Sequence, residues 1–197
     1  MKTKLSLAFG LLAGIALSIW LTQFLRPYEF HGTILQSPDP AYNFQLTDDI
    51  GQRVQLSDFQ GKLVVLYFGY TYCPDVCPAT LTEMDKAVKI LGTKAEEIQV
   101  IMISVDPERD SPAALAEYMK HFNPTFIGLT GTPEQIALVA TPFGIYYEKD
   151  TSGGEEGYLV NHTASLLVID REGHLKLIFP FGTPAADIAA DLEQLLK

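Results

Sequence analysis

An uninterrupted apolar run, Leu63–Tyr70, is the feature that most limits how this chain can fold. It reads LVVLYFGY, is rich in β-branched and aromatic residues, and lacks the polar–apolar alternation of a half-exposed strand. Such a run is typical of a strand buried on both faces, as found in parallel sheets covered by helices. The segment therefore predicts an α/β domain with this strand near the centre of its sheet.

The segments around this strand alternate between helix and strand patterns. A helix is predicted over Pro78–Leu91, where apolar residues recur at helical spacing, and a second buried strand over Ile98–Val105. Further helices are predicted where a capping Ser or Thr precedes a proline, at positions 111–112, 132–133 and 183–184. Shorter strands are predicted at 43–46, 53–56, 126–129, 164–170 and 175–179. This order indicates a thioredoxin-like domain, with a central mixed sheet and flanking helices.

The N-terminal residues form a separate segment. Leu5–Leu25 contains no charged residue and would extend about 31 Å as a helix, close to the roughly 30 Å thickness of bilayer hydrocarbon. Lys2 and Lys4 precede it, whereas no Lys or Arg lies between Arg26 and Arg53. The positive-inside rule then predicts one transmembrane helix with a cytoplasmic N-terminus and an exported remainder. A cleaved signal peptide is the alternative, but the long apolar run and the lack of an A-x-A site favour an uncleaved anchor.

These observations divide the chain into three parts: a cytoplasmic N-terminus and anchor at 1–26, a proline-containing linker at 27–41, and one domain at 42–197. The formal net charge is −10, and residues 1–26 contain basic residues but no acidic ones, so the domain is more acidic still. Such a surface argues against nucleic acid and anionic lipid headgroups as partners. The N-terminus lacks an Arg-rich presequence, which favours a bacterial inner membrane with the domain on its periplasmic face.

Cys73 and Cys77 are the only cysteines of the chain, and they lie between the predicted central strand and the helix that follows it. Ligands bind at this edge of α/β sheets, and a helix N-terminus stabilises thiolates. Two thiolates can cycle between dithiol and disulfide, or they can hold a soft metal such as Cu(I). A purely structural disulfide is less favoured, because closing so small a loop adds little stability.

A metal held by two thiolates would take a third ligand, and four histidines are candidates. His31 falls in the linker, His121 near the end of a predicted helix and His174 in a predicted hairpin turn, positions that suit surface roles. His162 stands just before the predicted strand at 164–170, in a segment that could face the cysteine loop. Spacing alone favours a structural role for it.

Three segments together resemble the Sco/SenC family of copper-binding assembly proteins: FGYTYCPDVCPATL at 68–81, SVDPERDSP at 104–112 and LVNHTASLLVID at 159–170. They follow the family's order, and the resemblance covers nearly all of residues 43–197. It implies that Cys73, Cys77 and His162 bind copper, as Cu(I), Cu(II) or both. It also implies that His162 occupies the position where redox-active thioredoxins have a cis-proline. That replacement favours metal binding over disulfide exchange.

The resemblance implies a membrane-anchored copper metallochaperone that helps assemble the dinuclear copper centre of cytochrome c oxidase subunit II. A separate protein could supply the copper. The alternative is an enzyme, a thiol–disulfide oxidoreductase that uses Cys73 and Cys77 to reduce the target cysteines before copper insertion. A peroxide-reducing enzyme and a zinc site at the same ligands are weaker alternatives.

Two further residues enter through this resemblance. Asp106, at the end of the second predicted strand, is expected near the site. There it would tune thiol or metal electrostatics without binding the metal, or serve only as a turn residue before Pro107. Asn161 stands where the family often carries an aspartate before the histidine, which removes one charge beside the expected ligand.

Overall fold

The structure is a computed structural model that describes residues 27–35, 39–151 and 157–197, together with the single position Ser18. The transmembrane helix predicted at Leu5–Leu25 otherwise lies outside the described residues, as does the boundary predicted at residue 26. Among the helices that are described, none has the length and apolar character needed to cross a membrane.

Within these described ranges the strands are β1 (Thr33–Ile34), β2 (Gln45–Asp48), β3 (Arg53–Gln55), β4 (Leu63–Gly69), β5 (Ile98–Ser104), β6 (Ile127–Thr130), β7 (Tyr147–Asp150), β8 (Leu159–His162), β9 (Leu166–Ile169) and β10 (Leu175–Phe179). The α-helices described after residue 26 are α1 (Val76–Leu91), α2 (Pro112–Lys120), α3 (Pro133–Ala140) and α4 (Ala185–Leu195). Short 3₁₀ helices span Leu56–Phe59 and Gly92–Glu97.

One mixed sheet contains eight of these strands in the order β1–β10–β9–β4–β5–β6–β2–β3. β4 pairs in parallel with β5 and antiparallel with β9, and β5 pairs in parallel with β6. All seven residues of β4 are buried, which confirms the central strand predicted from the run Leu63–Tyr70. The thioredoxin-like mixed sheet with flanking helices is likewise confirmed.

Two of the helix starts follow the local capping chemistry. Ser111 accepts a hydrogen bond from the backbone of Ala114 at 3.2 Å, and Thr132 accepts one from Gln135 at 3.3 Å. Each cap is followed by a proline in the first turn, where a missing N–H costs nothing. α1 begins two residues earlier than the prediction of Pro78, so Cys77 belongs to its first turn. The predicted cap at Thr183 is wrong: α4 begins at Ala185 with Pro184 as its N-cap, and the Thr183 hydroxyl instead donates to the carbonyl oxygen of Pro180 at 2.8 Å.

Residues 27–34, which we call the N-terminal strap, pack onto the domain although the sequence analysis assigns them to a linker. β1 pairs antiparallel with β10 at the edge of the sheet. The carboxylate of Asp191, fully buried on α4, accepts hydrogen bonds from the Tyr28 hydroxyl at 2.7 Å and from the backbone N–H groups of His31 and Gly32 at 2.9 Å each. Little periodicity marks this segment, so the sequence pattern did not predict its packing.

A second, two-stranded sheet consists of β7 and β8 and stands apart from the large sheet. Its antiparallel register pairs Tyr147 with His162 and Asp150 with Leu159. The sequence analysis did not predict this hairpin, because exposed positions alternate irregularly along both strands. The hairpin matters because its last residue, His162, is one of the expected copper ligands.

Candidate metal centre

The cysteines occupy the loop between β4 and α1 and the first turn of that helix. Cys77 is fully buried, whereas Cys73 is half-buried, and both are free thiols. The backbone N–H of Cys77 donates a hydrogen bond to Sγ of Cys73 at 3.4 Å. Gly69 makes room for this arrangement, since a Cβ at that position would lie 3.0 Å from Sγ of Cys77.

His162 reaches the same place from the end of β8. Its Nε2 lies 3.4 Å from Sγ of Cys77, and the ligand atoms of Cys73, Cys77 and His162 all lie within 4.8 Å of one another. Nδ1 lies 3.0 Å from the carbonyl oxygen of Thr163. Because a carbonyl can only accept, Nδ1 carries the proton and Nε2 directs its lone pair towards the sulfurs. Two sulfurs and one imidazole nitrogen form a donor set that fits copper or zinc.

Two aromatic side chains surround the imidazole. Tyr67 and Tyr70 meet the ring of His162 in edge-on geometry, at centroid distances of 6.1 and 5.8 Å. The hydroxyl of Tyr70 also accepts a hydrogen bond from the backbone N–H of Val160 at 3.1 Å, which ties β8 to the end of the central strand. Neither tyrosine was predicted as a site residue, because both occur within the apolar run that predicts the strand.

The two thiols differ in their acidity. A hydrogen bond from the Cys77 thiol lowers the pKa of Cys73 to about 3, and hydrogen bonds from the backbone N–H groups of Cys77 and Asp75 act in the same direction. The pKa of Cys77 is raised, because its thiol is the hydrogen-bond donor to Cys73 and because it is buried. The metal-free site therefore combines one half-buried thiolate with one fully buried thiol.

Asp106 lies beside the hairpin. Its carboxylate is fully buried and accepts hydrogen bonds from the Tyr158 hydroxyl at 2.7 Å and from Nε of Arg109. The guanidinium carbon of Arg109 lies 3.7 Å from the ring centroid of Tyr158 and 4.7 Å from that of Tyr72. Asp106 therefore contacts groups that flank the three ligands. A role for it in tuning the metal stays a prediction.

Asp110 is a buried carboxylate that the sequence analysis did not single out. It accepts hydrogen bonds from the backbone N–H of Thr71 at 3.0 Å, from the Thr71 hydroxyl at 2.6 Å and from the Ser104 hydroxyl at 2.6 Å. Burial raises its pKa. Asp110 thus fixes the start of the cysteine loop, two residues before Cys73. The SVDPERDSP segment contains it, and that segment is the signal that could have identified it.

The other histidines lie elsewhere. His31 belongs to the strap, His121 is the C-terminal capping residue of α2, and Nδ1 of His174 lies 3.5 Å from Asp170 in the hairpin turn. In the part of the chain that the structure describes, Cys73, Cys77 and His162 form the one group of three potential ligands.

The chain is similar to known proteins over most of its length. The sequence profile of the SCO1/SenC family matches residues 34–197. A SCO2-like protein of Rickettsia felis is 37% identical over 144 residues, which cover 72% of this chain and 70% of that protein. The structure of Bradyrhizobium japonicum ScoI with copper bound is 39% identical, covers 80% of this chain and 99% of its own, and superposes with a TM-score of 0.72.

A third similar protein is BsSco, a member of the Sco family of cytochrome c oxidase assembly proteins in which a disulfide switch was identified. Its structure is 26% identical to this chain, covers 82% of this chain and 98% of its own, and gives a TM-score of 0.63.

Proposed function

The chain belongs to the SCO1/SenC family, and from this premise we propose that it binds copper through Cys73, Cys77 and His162 and delivers it to an acceptor protein. The observation that carries the proposal is the convergence of two sulfurs and one imidazole nitrogen within 4.8 Å. The copper bound in the similar Bradyrhizobium japonicum ScoI supports copper over zinc.

Each ligand has a distinct part in this function. The half-buried thiolate of Cys73 is the first contact for an incoming ion, because it is already deprotonated and accessible. Cys77 loses its proton when the metal binds, and Nε2 of His162 supplies the third donor with its lone pair already directed inward. Three protein ligands leave the metal open to a thiolate of an acceptor, which ligand exchange requires. Protons compete for all three donors, so binding weakens at low pH.

The proposed acceptor is the copper centre of cytochrome c oxidase subunit II, and a separate donor protein would load the site. The description of BsSco as a member of a family of cytochrome c oxidase assembly proteins supports this choice. The proposed setting is a bacterial inner membrane, with the N-terminus in the cytoplasm and the copper-binding domain on the periplasmic face. The uncharged segment Leu5–Leu25 and the acidic domain support that setting.

The test is titration of the reduced chain with Cu(II), followed by visible absorption and electron paramagnetic resonance. Wild type is expected to bind one equivalent with an intense thiolate-to-copper charge-transfer band, and His162→Ala to lose the band and the tight binding. His121→Ala, which changes an exposed histidine at the end of α2, is the matched control. Retention of wild-type affinity and spectrum by His162→Ala would show that the ligand set is wrong.

A second function, thiol–disulfide exchange, is favoured by the contrast between the accessible thiolate of Cys73 and the buried thiol of Cys77. Cys73 would attack a target disulfide, forming a mixed disulfide and releasing one target thiolate. Cys77 would then attack Sγ of Cys73, giving the internal disulfide and releasing the second target thiolate, and an external dithiol would restore the pair. The disulfide switch identified in BsSco supports this candidate. Cys77→Ser should trap the mixed disulfide, and failure to trap it with an oxidised target would count against exchange.

A further inference from the structure

We propose that Asp106, Arg109 and Tyr158 form a positioning clamp that holds the β7–β8 hairpin, and with it His162, at its distance from the cysteine sulfurs. The inference rests on the proposed function for its consequences in copper binding. Its first test, however, is made on the metal-free protein.

The need for such a clamp follows from the topology. The cysteines are attached to the central strand and to α1, whereas His162 lies on a hairpin that is not part of the eight-stranded sheet. Cross-strand pairing fixes His162 opposite Tyr147 but does not fix the hairpin relative to the sulfurs. The distance of 3.4 Å between Nε2 and Sγ of Cys77 therefore depends on contacts between the hairpin and the body of the domain.

Tyr158, immediately before β8, provides three of these contacts, in addition to the hydrogen bond between Val160 and Tyr70. Its hydroxyl donates to Oδ1 of Asp106 at 2.7 Å, and its carbonyl oxygen accepts from a terminal nitrogen of Arg109 at 2.9 Å. The guanidinium also lies over its ring. Asp106 and Arg109 thus contact the backbone, the ring and the hydroxyl of Tyr158, which restricts the conformation of the chain at the start of β8.

Asp106 and Arg109, the other two residues of the clamp, are held in place by the body of the domain. Asp106 is fully buried directly after β5, and its backbone N–H donates to the Ser104 hydroxyl at 3.0 Å. The carboxylate of Asp106 also accepts from Nε of Arg109, so the arginine is fixed in the same turn. A buried carboxylate that is hydrogen-bonded at both oxygens moves little, which suits a fixed point for the hairpin.

Arg109 also contacts the other ligand-bearing segment. Its guanidinium carbon lies 4.7 Å from the ring centroid of Tyr72, the residue before Cys73, while lying 3.7 Å from that of Tyr158. The guanidinium of Arg109 therefore contacts both the cysteine loop and the β7–β8 hairpin. The relative position of the two segments depends on it.

The first experiment measures hydrogen–deuterium exchange of the reduced, metal-free full chain. Tyr158→Phe removes only the hydroxyl that binds Asp106, and Arg109→Lys keeps the charge but loses the planar fork. Tyr146→Phe is the matched control, since its hydroxyl binds Glu148 within the same hairpin. Faster exchange confined to β7 and β8 is expected in the first two variants, with the control matching wild type.

The second experiment compares the affinities of these variants for Cu(II) and Cu(I). Groups that orient metal ligands typically change affinity about 10- to 100-fold, and we expect the lower end for Tyr158→Phe with Cu(II). Two thiolates alone suffice for Cu(I), so its affinity should change much less. The nitrogen hyperfine pattern of the Cu(II) spectrum should broaden as the imidazole samples several positions.

The outcomes separate the two proposals. Wild-type exchange rates and Cu(II) affinity in both Tyr158→Phe and Arg109→Lys would overturn the clamp, even if His162 proves to be a ligand. Conversely, faster exchange of the hairpin in a protein whose copper binding does not depend on His162 would keep the clamp and overturn the ligand set. Equal losses of Cu(II) and Cu(I) affinity, with exchange raised throughout the domain, would indicate general destabilisation and would also overturn the clamp.

Discussion

Nε2 of His162 lies 3.4 Å from Sγ of Cys77, although 85 positions separate the two residues in the chain. The contact joins the first turn of a helix that packs on the central sheet to the end of a hairpin outside that sheet. Its geometry therefore depends on how the hairpin and α1 pack against the rest of the domain.

The first prediction concerns the reactivity of the thiols. Because the pKa of Cys73 is lowered to about 3, its thiolate population stays nearly constant as the pH falls from 8 to 5. Alkylation of Cys73 by iodoacetamide should therefore vary little over that range, whereas a free cysteine slows about tenfold per pH unit below its pKa. Mass spectrometry should find Cys77 unmodified, because it is buried and its pKa is raised. A tenfold loss of Cys73 labelling per pH unit would contradict this prediction.

The second prediction concerns Gly69. An added Cβ would lie 2.6 Å from the ring of Tyr67 and 3.0 Å from Sγ of Cys77. Gly69→Ala should therefore lower the free energy of unfolding by about 1–3 kcal/mol, the usual cost of overpacking, and should also weaken copper binding. Urea denaturation and copper titration measure the two effects.

Gly128→Ala is the control for this change. Its Cβ would meet Leu115 at 2.9 Å, away from the candidate metal centre. It should lower stability similarly while keeping copper affinity. Equal copper affinity in the two variants would remove any specific role for Gly69.

The sequence predicts the elements that are determined by neighbouring residues better than those that depend on contacts with distant residues. The central strand and the helix starts at Ser111–Pro112 and Thr132–Pro133 follow from patterns within a few residues, and these were found in the structure. The starts of α1 and α4 differ by one or two residues from their predictions. The position of the cysteines after a buried strand follows from the same patterns. The β7–β8 hairpin was not predicted, since its strands are short and mostly exposed and their stability comes from contacts such as Tyr158 with Asp106.

The residue pattern alone predicted only part of the candidate site. Spacing identifies Cys73 and Cys77 as a pair, because cysteines four positions apart at a helix start can place both sulfurs on one face. It could not select His162 among four histidines, and the family resemblance supplied that choice. Arg109, Asp110 and Tyr158 were missed because their roles arise from buried hydrogen bonds across the fold.

The third prediction concerns the support of the cysteine loop. Thr71→Val keeps the shape of the side chain but removes the hydroxyl that donates to Asp110 at 2.6 Å. The buried carboxylate then loses one of its donors, which should cost about 1–3 kcal/mol in the free energy of unfolding. Cys73 should also be alkylated at a changed rate, because its loop loses an anchor.

Thr125→Val is the matched control for Thr71→Val, since the Thr125 hydroxyl donates to Asn123 at an exposed turn. It should change neither stability nor alkylation appreciably. If Thr71→Val behaves like this control, Asp110 does not fix the loop.

The fourth prediction concerns the strap. The hydrogen bond from His31 to Asp191 raises the pKa of His31 above its usual 6.5. The folded state therefore binds the proton more tightly than the unfolded state, and the resulting stabilisation is complete below pH 6.5 and is lost as the pH rises through the folded-state pKa. His31→Gln should remove this part of the pH dependence, measured by urea denaturation between pH 5.5 and 8.5. His121→Gln should retain it, and an unchanged slope in His31→Gln would refute the assignment.

If the chain delivers copper as proposed, the placement of the donor atoms on two differently supported parts of the fold determines the order in which they release the metal. Cys73 and Cys77 adjoin the most buried strand of the domain, whereas His162 belongs to a small peripheral sheet. Opening a peripheral element requires less free energy than unfolding a core. We therefore expect the imidazole to dissociate first, so that an acceptor meets a two-coordinate ion while the domain remains folded.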